Sequence, residues 1–212
     1  MTSSTDFAAL LCSRLCHDLL SPVSALGNGL ELLASEQDEE MRRHCMSLIE
    51  DSARASAARL KFFRLAFGAA GGVSDEVPTE EARALITALA GPESKLMLEW
   101  AVEAETLGKS AIKVLLNLAA IGLDALVRGG TLAVGAERFE GATEIAVRAA
   151  GPRIAFDAAI GRALAGEVPL DEATARTAPA LLVRQLAEER GGDVQHALAS
   201  EALIMGAVLP DA

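Results

Sequence analysis

The chemistry in this chain starts at His17-Asp18-Leu19-Leu20-Ser21-Pro22, an imidazole next to a carboxylate with a proline just over one turn on. Leu11, Leu15, Leu19, Pro22, Leu26, Leu30 and Leu33 recur three or four positions apart, the spacing of one apolar helix face. His17 lies midway between Leu15 and Leu19, about 200° around the helix from each. Its own row of Arg14, His17, Ser21, Ser24, Asn28 and Glu31 is polar throughout, so the ring should stand in water within reach of a large partner. A neutral imidazole held this way can attack a phosphoryl group and pass it on through a labile P–N bond. Pro22 should disturb the helix bond to the Asp18 carbonyl and bend the helix after His17. A lone surface histidine beside a tolerated kink is the commoner case, and the joint His-Asp-x-x-x-Pro pattern is what singles this one out.

Two long helices must position that ring. Thr5 and Asp6 have N-cap chemistry, and the first helix should run from there to the polar break Ser35-Glu36-Gln37-Asp38. A second should start near Glu39, continue through Met41, Cys45, Leu48, Ile49, Ser52, Ser56, Leu60 and Phe63, and stop at Gly68. The short connection makes them an antiparallel hairpin. Two helices enclose no interior, whereas four do, so two hairpins should pair as a homodimer in a four-helix bundle. Ala53, Ala55, Ala57 and Ala58 would allow the close approach; the competing expectation is that the hairpin packs on its own C-terminal domain. With the bend near residue 37, position 17 should face roughly position 57, close to Arg54, Arg59, Lys61 and Arg64. That basic surface is either a solvated face or a steering surface for an acidic partner.

Composition sets the outer bounds. The chain has 212 residues, and its 51% hydrophobic content supplies a core and argues against disorder. Its net charge of −11 speaks against a general nucleic-acid or anionic-membrane surface. No apolar run approaches the ~20 residues of a membrane span, and the N-terminus lacks the basic start of a signal peptide. Three cysteines form no disulfide framework, which points to a reducing cytoplasm. Cys12 and Cys16, four apart, lie just before His17 with Cys45 on the other helix and have ligand chemistry, but no paired Cys-x-x-Cys elements occur, so no metal site is expected. The small-residue segment Gly68-Ala69-Ala70-Gly71-Gly72 separates a nearly balanced first part from a strongly acidic second one. It divides the chain into a hairpin, 1–70, and a domain, 71–212.

In that second part helices and strands mix. Helices are expected over Thr79–Ala90, Ser110–Val127 and Ala178–Arg190. Strands are expected over Lys95–Trp100, Thr131–Ala136, Glu144–Arg148, Val194–Ala199 and Ala202–Leu209, the last two as a terminal hairpin.

These residues carry a resemblance. His17-Asp18-Leu19-Leu20-Ser21-Pro22 resembles the H-box of histidine kinases. The wider stretch from Leu11 to Val23, followed by Asn28-Gly29-Leu30-Glu31, resembles the ChpT-type bacterial histidine phosphotransferases. The C-terminal order resembles the kinases' ATP-binding α/β sandwich, but its nucleotide motifs are eroded. Asn117 matches the start of the N-box, while the second, metal-holding Asn is replaced by Ile121. The adenine-reading Asp-x-Gly-x-Gly stands as Ala149-Ala150-Gly151-Pro152-Arg153, without its carboxylate. The phosphate loop reads Thr177-Ala178-Pro179, without its glycines.

The resemblance therefore implies no ATP and no cofactor in this chain. It implies a histidine phosphotransferase of a multistep phosphorelay, with His17 taking a phosphoryl group from the receiver of a hybrid kinase. The recipients would be response regulators of the CtrA and CpdR type, with magnesium brought by the receiver. Asp18 would orient the ring or stabilise its proton. Arg14, Ser21, Ser24, Asn28, Arg54, Arg59 and Lys61 are the expected docking residues. A weakly active kinase, or a scaffold that binds regulators without transfer, are the alternatives.

Overall fold

The computed structural model describes residues 4–68, 75–91 and 95–211. Helix α1, Ser4–Ser35, passes through Pro22 without interruption, and α2, Glu39–Ala66, returns alongside it. Thr5 and Asp6 lie inside the first turn of α1 and not ahead of it, because the helix already runs from Ser4. The turn is built by side chains. Asp38 caps α2 by accepting from the backbone N–H groups of Glu40 and Met41 at 3.0 and 2.9 Å. Arg42 donates to the carbonyls of Leu33 and Glu36, which would otherwise be orphaned at the end of α1.

The seam between the helices departs from the leucine pattern at one place. Gly29 is buried and Leu30 is turned out to solvent. A Cβ on Gly29 would lie 2.8 Å from Ile49 Cγ1, so the glycine sets how closely the helices approach. Buried Ser52 and Ser56 continue the seam on α2, with Ser56 Oγ donating to the Ser52 carbonyl at 2.8 Å.

The C-terminal part is a two-layer sandwich. Its sheet contains β2, Leu96–Val102; β4, Gly130–Phe139; β5, Ala142–Ala150; β6, Asp193–Leu198; and β7, Ala202–Pro210. The strand order is β2-β4-β5-β7-β6, with β2 parallel to β4 and every other pair antiparallel. Along β5, Thr143, Ile145, Val147 and Ala149 are buried while Glu144, Ala146 and Arg148 are exposed, the alternation of a sheet covered on one face. The cover is α3, Thr79–Ala90; α4, Lys109–Ala125; and α6, Ala178–Glu188. Gly122 brings α4 down onto the sheet, since a Cβ there would lie 2.6 Å from Leu132 Cδ1.

The expected helices and strands of this part are all present, with ends shifted by a few residues. The sequence reading missed β1, Glu76–Pro78, its partner β3, Thr106–Gly108, the helix α5, Ala158–Leu164, and a 3-10 turn, Leu170–Glu172. The expected boundary at residues 70 and 71 lies outside the described residues. The hairpin is nonetheless rooted in the sandwich: Phe62, Phe63 and Ala66 at the end of α2 are buried in one core with Ala82, Ile86, Leu115 and Leu118. No helix among the described residues is long and apolar enough to cross a membrane.

Candidate functional site

His17 projects from α1 with its side chain 83% exposed. Its Nδ1 lies 3.0 Å from Asp18 Oδ1. Neighbouring residues on a helix point apart, so this contact needs the Asp18 side chain to be held towards the ring. The restraint is visible on the other carboxylate oxygen. Arg14 Nε donates to Asp18 Oδ2 at 2.6 Å, one turn back along α1. The same guanidinium donates through Nη2 to Asp124 Oδ2, on the last turn of α4, at 2.8 Å. Arg14 and Asp18 are only 18% and 19% exposed in their side chains, so water competes weakly for the pair. Burial works to lower the Arg14 pKa, but hydrogen bonds and charge from Asp124 and Asp18 outweigh it and hold the guanidinium above its ordinary value.

Tautomer follows from charge. An ionised carboxylate only accepts, so the proton of a neutral His17 sits on Nδ1 and the lone pair is on Nε2, away from Asp18. Below the ring a cleft of about 390 Å³ runs between the hairpin and the sandwich. Arg14, His17, Arg59, Phe63, Asn117 and Asp124 are among its walls. An exposed imidazole with one nitrogen committed and the other open has the chemistry of a nucleophile.

Known proteins resemble this chain over most of its length. Residues 79–202 match the model of the histidine phosphotransferase C-terminal domain. Over 200 residues, 94% of each chain, the sequence is 36% identical to protein phosphotransferase ChpT of Brucella abortus. The fold superposes on a bacterial phosphotransferase of known structure with a TM-score of 0.84, at 34% identity and 98% coverage of both chains.

The chain belongs to the ChpT-type histidine phosphotransferases.

In this phosphotransferase the residues expected to dock a partner fall into three groups. Ser21, Ser24 and Asn28 are exposed along the His17 side of α1. Arg14, expected on that open row, is instead turned inward and engaged with two carboxylates. Arg59 is half-buried, lines the cleft with His17, and donates back to the Ala55 carbonyl at 3.4 Å. Arg54 and Lys61 are exposed but do not face His17 across their own hairpin. They lie about 160–180° around α2 from buried Ser52, on the side turned away from α1. Arg54 is also paired with Glu50 at 3.0 Å and Asp51 at 3.6 Å.

The positions that resemble a nucleotide site hold other contacts in this phosphotransferase. Ile121 and Ala149 are buried in the sandwich core. Thr177 is buried and hydrogen-bonded to Thr174. Asn117, 1% exposed, donates from Nδ2 to the Lys113 carbonyl at 2.8 Å and the Ala66 carbonyl at 3.3 Å, while its Oδ1 has no partner. A divalent ion wants oxygen ligands, and the replaced N-box and adenine positions, Ile121 and Ala149, carry alkyl side chains that offer none. These residues do not fit a nucleotide and its magnesium. Among the described residues no three His, Cys, Asp or Glu side chains gather to hold a metal; Cys12 and Cys16 are exposed on α1, and Cys45 is buried on α2.

Asp124 was missed from sequence, although one signal existed. It is the only acid in α4 and sits in the last turn, where the helix dipole disfavours a carboxylate unless a cation answers it.

Proposed function

We propose that His17 is the phosphoryl carrier of a phosphorelay, loaded by the receiver domain of a hybrid histidine kinase and unloaded onto the receivers of response regulators. The observation that carries this reading is the open His17 Nε2 beside an Nδ1 hydrogen-bonded to Asp18. In loading, the Nε2 lone pair attacks the phosphorus of a receiver's aspartyl phosphate. The P–O bond breaks as the P–N bond forms, and the aspartate leaves as its carboxylate. The ring keeps its Nδ1 proton and becomes a phosphoimidazolium, whose positive charge Asp18 offsets. Unloading is the reverse step on another receiver.

The receiver supplies the magnesium, and ATP takes no part. The residues at the nucleotide positions, Ile121, Ala149 and Thr177, favour that assignment. By family resemblance the recipients are regulators of the CtrA and CpdR type, and the protein works in the cytoplasm.

The carrier acts as a homodimer. Cys12, Cys16, Leu20, Val23, Leu30, Met46 and Leu60 are exposed on the protomer and share one side of the hairpin, at right angles to its seam. Packing two such faces about an axis parallel to the helices gives the four-helix bundle. In that bundle α1 of one protomer stands beside α2 of the other. The partner's Arg54 and the partner's Lys61 then reach the side that carries His17, and join Ser21, Ser24 and Asn28 as the docking surface.

The test is direct: mix the protein with a phosphorylated receiver domain and follow the label. Acid-labile label at His17 supports the reading. Receiver binding without label, surviving His17→Ala, overturns it in favour of a scaffold, and labelling by ATP and magnesium alone overturns it in favour of a kinase.

A further inference from the structure

We propose that Arg14 and Asp124 are positioning residues for phosphoryl transfer, so that the sandwich domain sets the geometry of the phosphoacceptor through one side-chain chain running from α4 to α1. This rests on His17 being the carrier. The links are Asp124 to Arg14 at 2.8 Å, Arg14 to Asp18 at 2.6 Å, and Asp18 to His17 at 3.0 Å. Each link removes a freedom from the next. A carboxylate next to a helical histidine can rotate to face water, and nothing in α1 alone keeps Asp18 on the ring. Arg14 by itself is an i, i+4 partner, an arrangement that on an open helix holds its side chains weakly. Asp124 changes that by anchoring the far end of the same guanidinium from a second element, while the walls of the cleft exclude most water from the Arg14–Asp18 pair.

The fork of the guanidinium matters here. Nε and Nη2 are rigidly related, so fixing Nη2 on Asp124 fixes the direction in which Nε meets Asp18. Asp18 Oδ2 is thereby occupied and Oδ1 is left for His17 Nδ1. The consequence at the reacting atom is a single tautomer with its lone pair on Nε2. Without the anchor, both tautomers are populated and the ring is free to turn, and only one of those arrangements attacks a docked phosphoryl group. The position of Asp124 agrees with this. A carboxylate in the last turn of α4 is disfavoured by the helix dipole, and Arg14 is the cation that answers it.

The experiment uses the full chain with Asp124→Asn, Asp124→Glu and Arg14→Gln, and a phosphorylated receiver domain as donor. Asp124 is 60% exposed, so its variants should fold. Asp124→Asn should slow single-turnover transfer at saturating receiver about tenfold while leaving the receiver's KM unchanged. In 15N spectra of the neutral ring in imidazole-labelled protein, its His17 should move from one tautomer to a mixture. Arg14→Gln should do the same, and Asp124→Glu should restore both rate and tautomer. Transfer at the wild-type rate with an unchanged tautomer in Asp124→Asn overturns the proposal. So does a slowed rate that comes only with a lower melting temperature and an unmoved tautomer, the mark of a purely structural role. If the wild type takes no label on His17, the carrier assignment itself has failed; labelling of the wild type with an indifferent Asp124→Asn defeats only the present inference.

Discussion

The Asn117 amide of α4 donates to the carbonyl of Ala66, the last residue of α2, across 3.3 Å. That carbonyl has no donor within its own helix, and Asn117 supplies one from the sandwich. A residue that resembles the opening of a nucleotide motif is here a clamp between hairpin and domain.

The clamp can be tested by its polarity. Asn117→Ala should destabilise the protein by about 1–3 kcal/mol, the cost of leaving a buried carbonyl unmet. Asn117→Asp should be worse, because it turns a carboxylate towards the carbonyls of Ala66 and Lys113. Urea midpoints for the two variants rank the effects, and an Asp variant as stable as wild type would refute the clamp.

His17 is a site without a structural burden. His17→Gln should abolish uptake of label from a phosphorylated receiver while changing stability by no more than about 0.5 kcal/mol, as expected for an exposed side chain. Thermal denaturation beside the transfer assay checks both halves.

The dimer face makes a separate prediction. Leu20 is 67% exposed on the protomer, so Leu20→Glu should leave the protomer folded. Burying a leucine stabilises by about 1.5–3 kcal/mol, and a two-fold axis counts it twice. Sedimentation should show a dimer for wild type and a monomer for the variant at micromolar concentration. A wild-type monomer would remove the proposed bundle.

Electrostatic docking predicts an ionic-strength signature. Lys61→Glu should slow association with a receiver at low salt, and the difference should shrink as salt rises and screens the charge. Stopped-flow binding at two salt concentrations reads it; equal rates at low salt would exclude Lys61 from the docking surface.

The hairpin was legible in sequence because its signals are local: leucines at helical spacing, the polar break Ser35-Glu36-Gln37-Asp38 and Gly68 past the end. Leu30 misled for a physical reason. Counting leucines draws the seam through the larger side chain, but at this level the helices meet over the side chain that Gly29 lacks, and this is evident only with Ile49 in place. The three-residue strands β1 and β3 are too short to show a period, and the seven-residue α5 holds fewer than two full turns of pattern. The exposure of His17 could be read because it follows from the apolar stripe of one helix. The link from Arg14 to Asp124 could not, since 110 positions separate them in sequence and only the packing of α4 against the hairpin makes them neighbours.

Phe62, Phe63 and Ala66 root the end of α2 in the same core as the sandwich. On the proposed reading, the phosphoacceptor is therefore mounted on a bracket whose foot is packed into the sandwich core. In the proposed relay every receiver would then meet the same ledge, and discrimination among clients would be written into the visitors' own surfaces.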